Sequence, residues 1–82
     1  MQNMNQLNSE GNKEGYWEEY YSDGNLRSKG HFINGKEDGL LEEYWNSGNL
    51  YYKGYFINGK LDGLWEFYHS NGHIERKELY IN

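Results

Sequence analysis

Three sets of side chains in this chain have the types and spacing to do chemistry. His69 and His73 flank Ser70-Asn71-Gly72, and Glu75 lies close by, an arrangement that could present nitrogen and oxygen ligands to a metal ion. A structural metal site needs about four convergent ligands. On hairpin numbering His69 falls beside Ile74 and Glu75 near Tyr68, so the imidazoles need not converge and are expected to be exposed turn residues, with no metal and no cofactor bound. The second set is the 13 Asp and Glu residues, which could act as general acids or bases. Those that recur along the chain each fall opposite a lysine, and a residue repeated three times serves architecture better than catalysis. There is no nucleophile elbow, phosphate loop or zinc-protease pattern. No catalytic residue is expected and the chain reads as a non-enzyme.

The third set is acidic and aromatic. Glu18, Glu19, Tyr20, Glu42, Glu43, Tyr44, Trp45, Tyr51, Tyr52, Tyr55 and Tyr68 exceed what a small sheet needs to bury. Tyrosine and tryptophan are favoured anchors at protein interfaces, and neighbouring carboxylates suit a partner bearing Lys and Arg. These residues are the expected partner-binding set, and the expected partner is a protein with a basic surface.

What positions them is a repeat. Gly11, Gly35 and Gly59 recur at a fixed interval, as do Gly15, Gly39 and Gly63, then Tyr20, Tyr44 and Tyr68, and Gly24, Gly48 and Gly72. Glu18, Glu42 and Glu66, Lys29, Lys53 and Lys77, and Phe32, Phe56 and Tyr80 return in the same register. Each 24-residue unit is a supersecondary element that gains stability by stacking on its neighbours. With 11 glycines and no proline, no window is left for an average helix, whereas the aromatic and Ile-rich runs between turn signals suit strands. The expected fold is all-β, an elongated, twisted antiparallel meander of about six strands in three hairpin repeats, about 11–34, 35–58 and 59–82.

A two-residue turn at Asp23-Gly24 pairs residues whose numbers sum to 47, setting Glu18 against Lys29, Trp17 over Gly30, Tyr16 against His31 and Tyr20 against Arg27. The same rule pairs Glu42 with Lys53 and Glu66 with Lys77. The second connection, Asn34 to Gly39, is expected as a loop of about six residues that leaves Ile33 facing Leu40. Side-chain alternation then divides the sheet. Trp17, Phe32, Leu41, Trp45, Tyr52, Phe56, Trp65 and Phe67 share the core face, and the Glu and Lys row shares the other with Tyr16, Tyr20, Leu40, Tyr44, Tyr51, Tyr55, Leu64 and Tyr68. The charged run Glu75-Arg76-Lys77-Glu78 would blunt an edge strand, as a capping repeat does.

Composition narrows the rest. A chain of 82 residues makes one domain, here 11–82, behind a polar leader over 1–10 that is expected to be disordered. Cysteine is absent, which removes disulfides and thiolate zinc sites, and the expected location is the cytoplasm. The net charge of -5 argues against direct binding to nucleic acid or anionic lipid.

The run Gly15, Trp17, Tyr20, Gly24, Leu26, Lys29, Gly30 and Phe32, followed by Gly39, Tyr44, Gly48, Leu50, Lys53, Gly54, Phe56, Asn58, Gly59, Lys60, Asp62 and Gly63, resembles the MORN repeat in its variant form common in bacterial proteins. The resemblance covers Gly11 to Asn82. It implies a meander of hairpins in a single sheet and an interaction module. Some bacterial members with this variant are described as antitoxins, and other members of the wider family associate with membranes through phospholipid or partner proteins. Membrane recruitment is not the expectation here, because Lys29, Lys53 and Lys77 form the one recurring basic row and face glutamates. The expected function is a non-catalytic, acidic protein-binding module, antitoxin-like or inhibitory, that occludes a partner surface. One alternative is a phage or mobile-element anti-defence inhibitor of the anti-CRISPR kind, plugging the basic nucleic-acid channel of a nuclease. The other is a structural scaffold repeat that self-associates through its exposed edges, or a membrane-recruitment module, the least favoured of these readings; the edge strands could also pair two copies as a homodimer.

Overall fold

In a computed structural model, which describes residues 4–81, the chain forms a single antiparallel sheet with strands in sequence order. The strands are β1 (Gln6–Leu7), β2 (Lys13–Tyr20), β3 (Leu26–Ile33), β4 (Lys36–Tyr44), β5 (Leu50–Ile57), β6 (Lys60–Tyr68) and β7 (Ile74–Tyr80). The expected all-β meander is therefore present, with seven strands where about six were predicted.

The additional strand comes from the segment expected to be disordered. Residues 1–3 lie outside the described residues, but Gln6 and Leu7 pair with Glu14 and Lys13 of β2. Asn5, at φ 58°, extends that edge with its side chain: its amide nitrogen donates to the Glu18 carbonyl at 3.0 Å and its amide oxygen accepts from the Glu18 N–H at 2.8 Å. One side-chain amide thus does the pairing of a strand residue and satisfies a backbone edge that would otherwise face solvent.

The two kinds of turn are exchanged relative to expectation. The tight turns are Asn34-Gly35 and Asn58-Gly59, where Ile33 pairs with Lys36 and Ile57 with Lys60, not Ile33 with Leu40. Both residues of each turn have positive φ (50° and 85°; 52° and 81°), the pair of conformations that a two-residue turn matching strand twist requires. The turn at Asp23-Gly24 instead has three residues. The Tyr21 N–H donates to the Asn25 carbonyl at 2.8 Å and the Gly24 N–H to the Tyr21 carbonyl at 2.9 Å, with Gly24 at φ 95°.

The longer turn moves the pairing by one residue, so Tyr20 faces Leu26 instead of Arg27, and a bulge then restores the sum of 47 from Glu19↔Ser28 onward. Two irregularities cancel. The same bulge follows the turns after Tyr44 and Tyr68. His69 consequently donates its N–H to the His73 carbonyl, so it faces His73 and not Ile74. No group of three or more potential metal ligands occurs among the described residues.

Successive repeats are fastened at the rim of three-residue turns. Tyr21 Oη donates to the Tyr44 carbonyl at 2.6 Å and Trp45 Nε1 to the Tyr68 carbonyl at 3.3 Å. Asn25 Nδ2 and Asn49 Nδ2 reach the carbonyls of Asn46 and Ser70.

The core lies on the face expected to hold it. Leu41 and Trp65 are buried there, at 8% and 4% exposure, with Ser28, Gly30 and Gly54. Trp65 packs among Tyr52, Phe56, Phe67 and Tyr80 at centroid separations of 5.1 to 6.1 Å. Trp17 does pair in register with Gly30, but the side chain over that glycine is Leu41. Trp65 covers Gly54. Each glycine is covered from the strand that follows it, and Trp17 turns its Nε1 to the Gln6 carbonyl at 3.0 Å.

Candidate interaction faces

Alternation along the strands separates the eleven expected partner-binding residues onto two surfaces. Glu18, Tyr20, Glu42, Tyr44, Tyr55 and Tyr68 lie on one, the ladder face. Glu19, Glu43, Trp45 and Tyr52 lie on the other, the aromatic face that also holds the core. Tyr51 is the extra residue of its bulge and packs tilted against Trp45, ring centres 4.2 Å apart. A single partner cannot use all eleven at once.

The ladder face is built on one row of charge. Glu18 pairs with Lys29, Lys29 with Glu42, Glu42 with Lys53, Lys53 with Glu66, and Glu66 with Lys77. The predicted hairpin pairs are present as strand partners, and the links between repeats complete them into an unbroken row. Ion pairs within it are Lys29–Glu42 at 3.7 Å, Lys53–Glu66 at 3.6 Å and Lys77–Glu66 at 3.8 Å.

Tyrosines bind the glutamates from the side. Tyr68 Oη donates to Glu66 at 2.7 Å, and Tyr16 Oη at 2.6 Å and Tyr20 Oη both donate to Glu18. These bonds, ahead of the lysines, hold the carboxyls of Glu66 and Glu18 below the ordinary glutamate range. Tyr16 is pushed up, by burial first and by Glu18 second.

Because the folded carboxyls titrate below the unfolded ones, their contribution to stability is complete above the ordinary value of 4.5 and is lost as pH falls through the lowered values. Thermal melts between about pH 6 and pH 3 should show stability falling with pH, and Glu66→Gln, which keeps a partner for Tyr68 but does not titrate, should reduce that fall. An unchanged acid limb in that variant would mean that the row does not govern acid stability.

On the aromatic face, Lys13, Trp17, Glu19, Phe32, Glu37, Leu41 and Glu43 line a shallow depression of about 150 Å³. Its β2 end already holds a cation of the chain's own. Lys13 Nζ lies 4.8 Å from the ring centres of both Trp17 and Phe32 and pairs with Glu19 at 2.5 Å. At the opposite end of the sheet the Arg76 guanidinium sits 4.1 Å from the Phe67 ring. Glu19 is occupied, since Arg27 also meets it at 3.1 Å, and the bond from Lys13 keeps its carboxyl low. Glu37 and Glu43 have no ion pair among the described residues. Beside them Tyr52 is raised well above an ordinary phenol, first by burial and then by Glu43. Sequence reasoning passed over Glu37 because it fell in a supposed loop; the Asn34-Gly35 dipeptide, the strongest short hairpin signal, placed it on a strand.

Three copies of one hairpin, with the same turns, bulges and cross-strand charges, match the family model described as MORN repeat variant at residues 13–34, 37–58 and 61–82. The chain belongs to the MORN repeat variant family. MORN repeats are generally modules that bind proteins or membranes, and the family is not a catalytic one. No curated protein and no solved structure matches the chain.

Proposed function

We propose that this MORN repeat protein is a non-catalytic binding module whose aromatic face occludes a basic protein surface, in the manner of an antitoxin or other small inhibitor. The observation that carries the reading is the occupied end of the depression. Lys13 shows what this surface accepts: an ammonium group lying on Trp17 and Phe32 with a carboxylate beside it. Glu37, Glu43 and Tyr52 offer comparable chemistry next to it, with two carboxylates that no cation of the described residues neutralises. A lysine or arginine of a partner would complete that arrangement, gaining both cation–π attraction and charge pairing. Because the ladder row balances three glutamates with three lysines, the excess acid of the chain resides elsewhere, in part on this face.

The test is affinity capture of the tagged protein against lysate, with elution by rising salt, run in parallel with Glu43→Lys and Glu37→Lys. The wild type should retain a stoichiometric basic protein that elutes at moderate salt, and the double variant should lose it while melting as the wild type does. Each reversal should weaken binding by about tenfold. Equal retention by the double variant would remove the acidic depression from the interface.

A further inference from the structure

The ladder face is its own complement. Read from β2 to β7 the row runs Glu18, Lys29, Glu42, Lys53, Glu66, Lys77, alternating in sign over six strands and therefore reversing sign when read backwards. We propose that two copies of the chain pack ladder face to ladder face about a two-fold axis parallel to the strands. That operation lays Glu18 on Lys77 of the second copy, Lys29 on its Glu66 and Glu42 on its Lys53. A two-fold axis running across the strands would put each residue on itself, glutamate against glutamate. The row thus selects one orientation.

The apolar residues agree with that orientation. Beside the charged row, on the same face, runs a second row: Tyr16 paired with His31, Leu40 with Tyr55, and Leu64 with Leu79. Leu40, Tyr55, Leu64 and Leu79 are 37%, 51%, 44% and 67% exposed, a continuous apolar strip that a solvated sheet face does not need. The same axis sets Leu40 on Tyr55 of the second copy and Leu64 on its His31. Two depressions related by one repeat line this strip, bounded by Tyr16, Lys29, His31, Leu40 and Glu42 and by Leu40, Lys53, Tyr55, Leu64 and Glu66. The axis lays Lys29, His31, Leu40 and Glu42 of the first on Glu66, Leu64, Tyr55 and Lys53 of the second.

Charge chooses a second copy over another occupant. A uniformly basic or acidic surface would meet a like charge at every other position of the row, which is repulsive. A second copy meets opposite charge throughout, and over the row the net charge is zero although the chain carries -5. A sheet measuring 40 × 36 Å can supply the roughly 800 Å² per partner that a stable interface buries. Sheets packed face to face keep their strands within about 30°, so the rows stay opposed over the central strands β3 to β6. The assembly leaves both aromatic faces outward, making a bivalent module.

The experiment is sedimentation velocity on the full chain over a wide concentration range, with Glu42→Lys and Lys53→Glu studied singly and mixed. The wild type should dimerise. Each variant alone places two like-charge pairs at the dimer centre and should associate at least about tenfold more weakly. An equimolar mixture should recover the dimer, because the lysine introduced by the first substitution then faces the glutamate introduced by the second. Leu64→Asp, an exposed position outside the row, should also abolish association without altering the melt. A wild type that stays monomeric at high concentration overturns the proposal. So does a dimer unaffected by the single reversals, the result expected if exposed edge strands associate, or a mixture no tighter than its components.

Discussion

Gly54→Ala should cost about 3 kcal/mol, and Gly30→Ala about 1 kcal/mol, although both replace a buried strand glycine by the same methyl group. A Cβ at position 54 would lie 2.0 and 2.1 Å from two atoms of the Trp65 indole. That ring cannot yield locally. It is 4% exposed, stacks on Tyr52 at 5.3 Å, meets Phe56 edge-on at 5.1 Å, and donates its Nε1–H to the Tyr55 carbonyl at 3.1 Å. Displacing it opens the largest cluster of the core. At Gly30 the nearest atom is the terminal Cδ1 of Leu41 at 2.6 Å, which a rotamer change can withdraw. For a small domain whose whole stability is about 5 kcal/mol, the first substitution brings the protein close to unfolding and the second does not. Urea unfolding of the two variants would decide. Equal losses would show that Trp65 is free to move and that packing over glycine does not organise the core.

Gly48→Val should destabilise by roughly 2 to 3 kcal/mol for a different reason, the backbone itself. Gly48 ends the three-residue turn at φ 99°, and its N–H donates to the Trp45 carbonyl at 2.9 Å. No atom lies within 4 Å of where its Cβ would be, so sterics against neighbours contribute nothing. What a β-branched residue meets is the penalty of positive φ. Gly48→Asn should lose less than half as much, since asparagine tolerates that region and already occupies it at Asn34 and Asn58. Thermal and urea melts of both variants test this; a Val variant as stable as wild type would mean that the turn can reform with another geometry.

The turns also show where reading the sequence stopped short. Pairing Glu18 with Lys29 and Tyr16 with His31 followed from a two-residue turn at Asp23-Gly24, and those partners are present. The turn has three residues, and the bulge at Arg27, just after Leu26, returns the register that the extra residue displaced. Both arrangements give the same partners in the body of the hairpin, so spacing alone could not separate them. Near the turn they differ, which is why Tyr20 faces Leu26 and His69 faces His73. At the other rim, the sequence predicts a loop of about six residues from Asn34 to Gly39, whereas Gly39, at φ 101°, sits within β4, where the pairing with β3 shifts between Gly30 and Phe32. That shift is by two residues, so it preserves parity and left the division into faces intact.

By itself the sequence determined the repeat, the strand content, the two faces and the hairpin charge pairs, because these depend on a period of two along each strand and on residues close in the chain. Only the tertiary structure decided that Lys29 also meets Glu42 and Lys53 meets Glu66, that Leu41 and not Trp17 covers Gly30, and that Asn5 completes the edge of β2. Those contacts join different hairpins or a segment outside the repeat, and their geometry is set by how each strand twists and bulges against its neighbour, which spacing within one repeat does not specify.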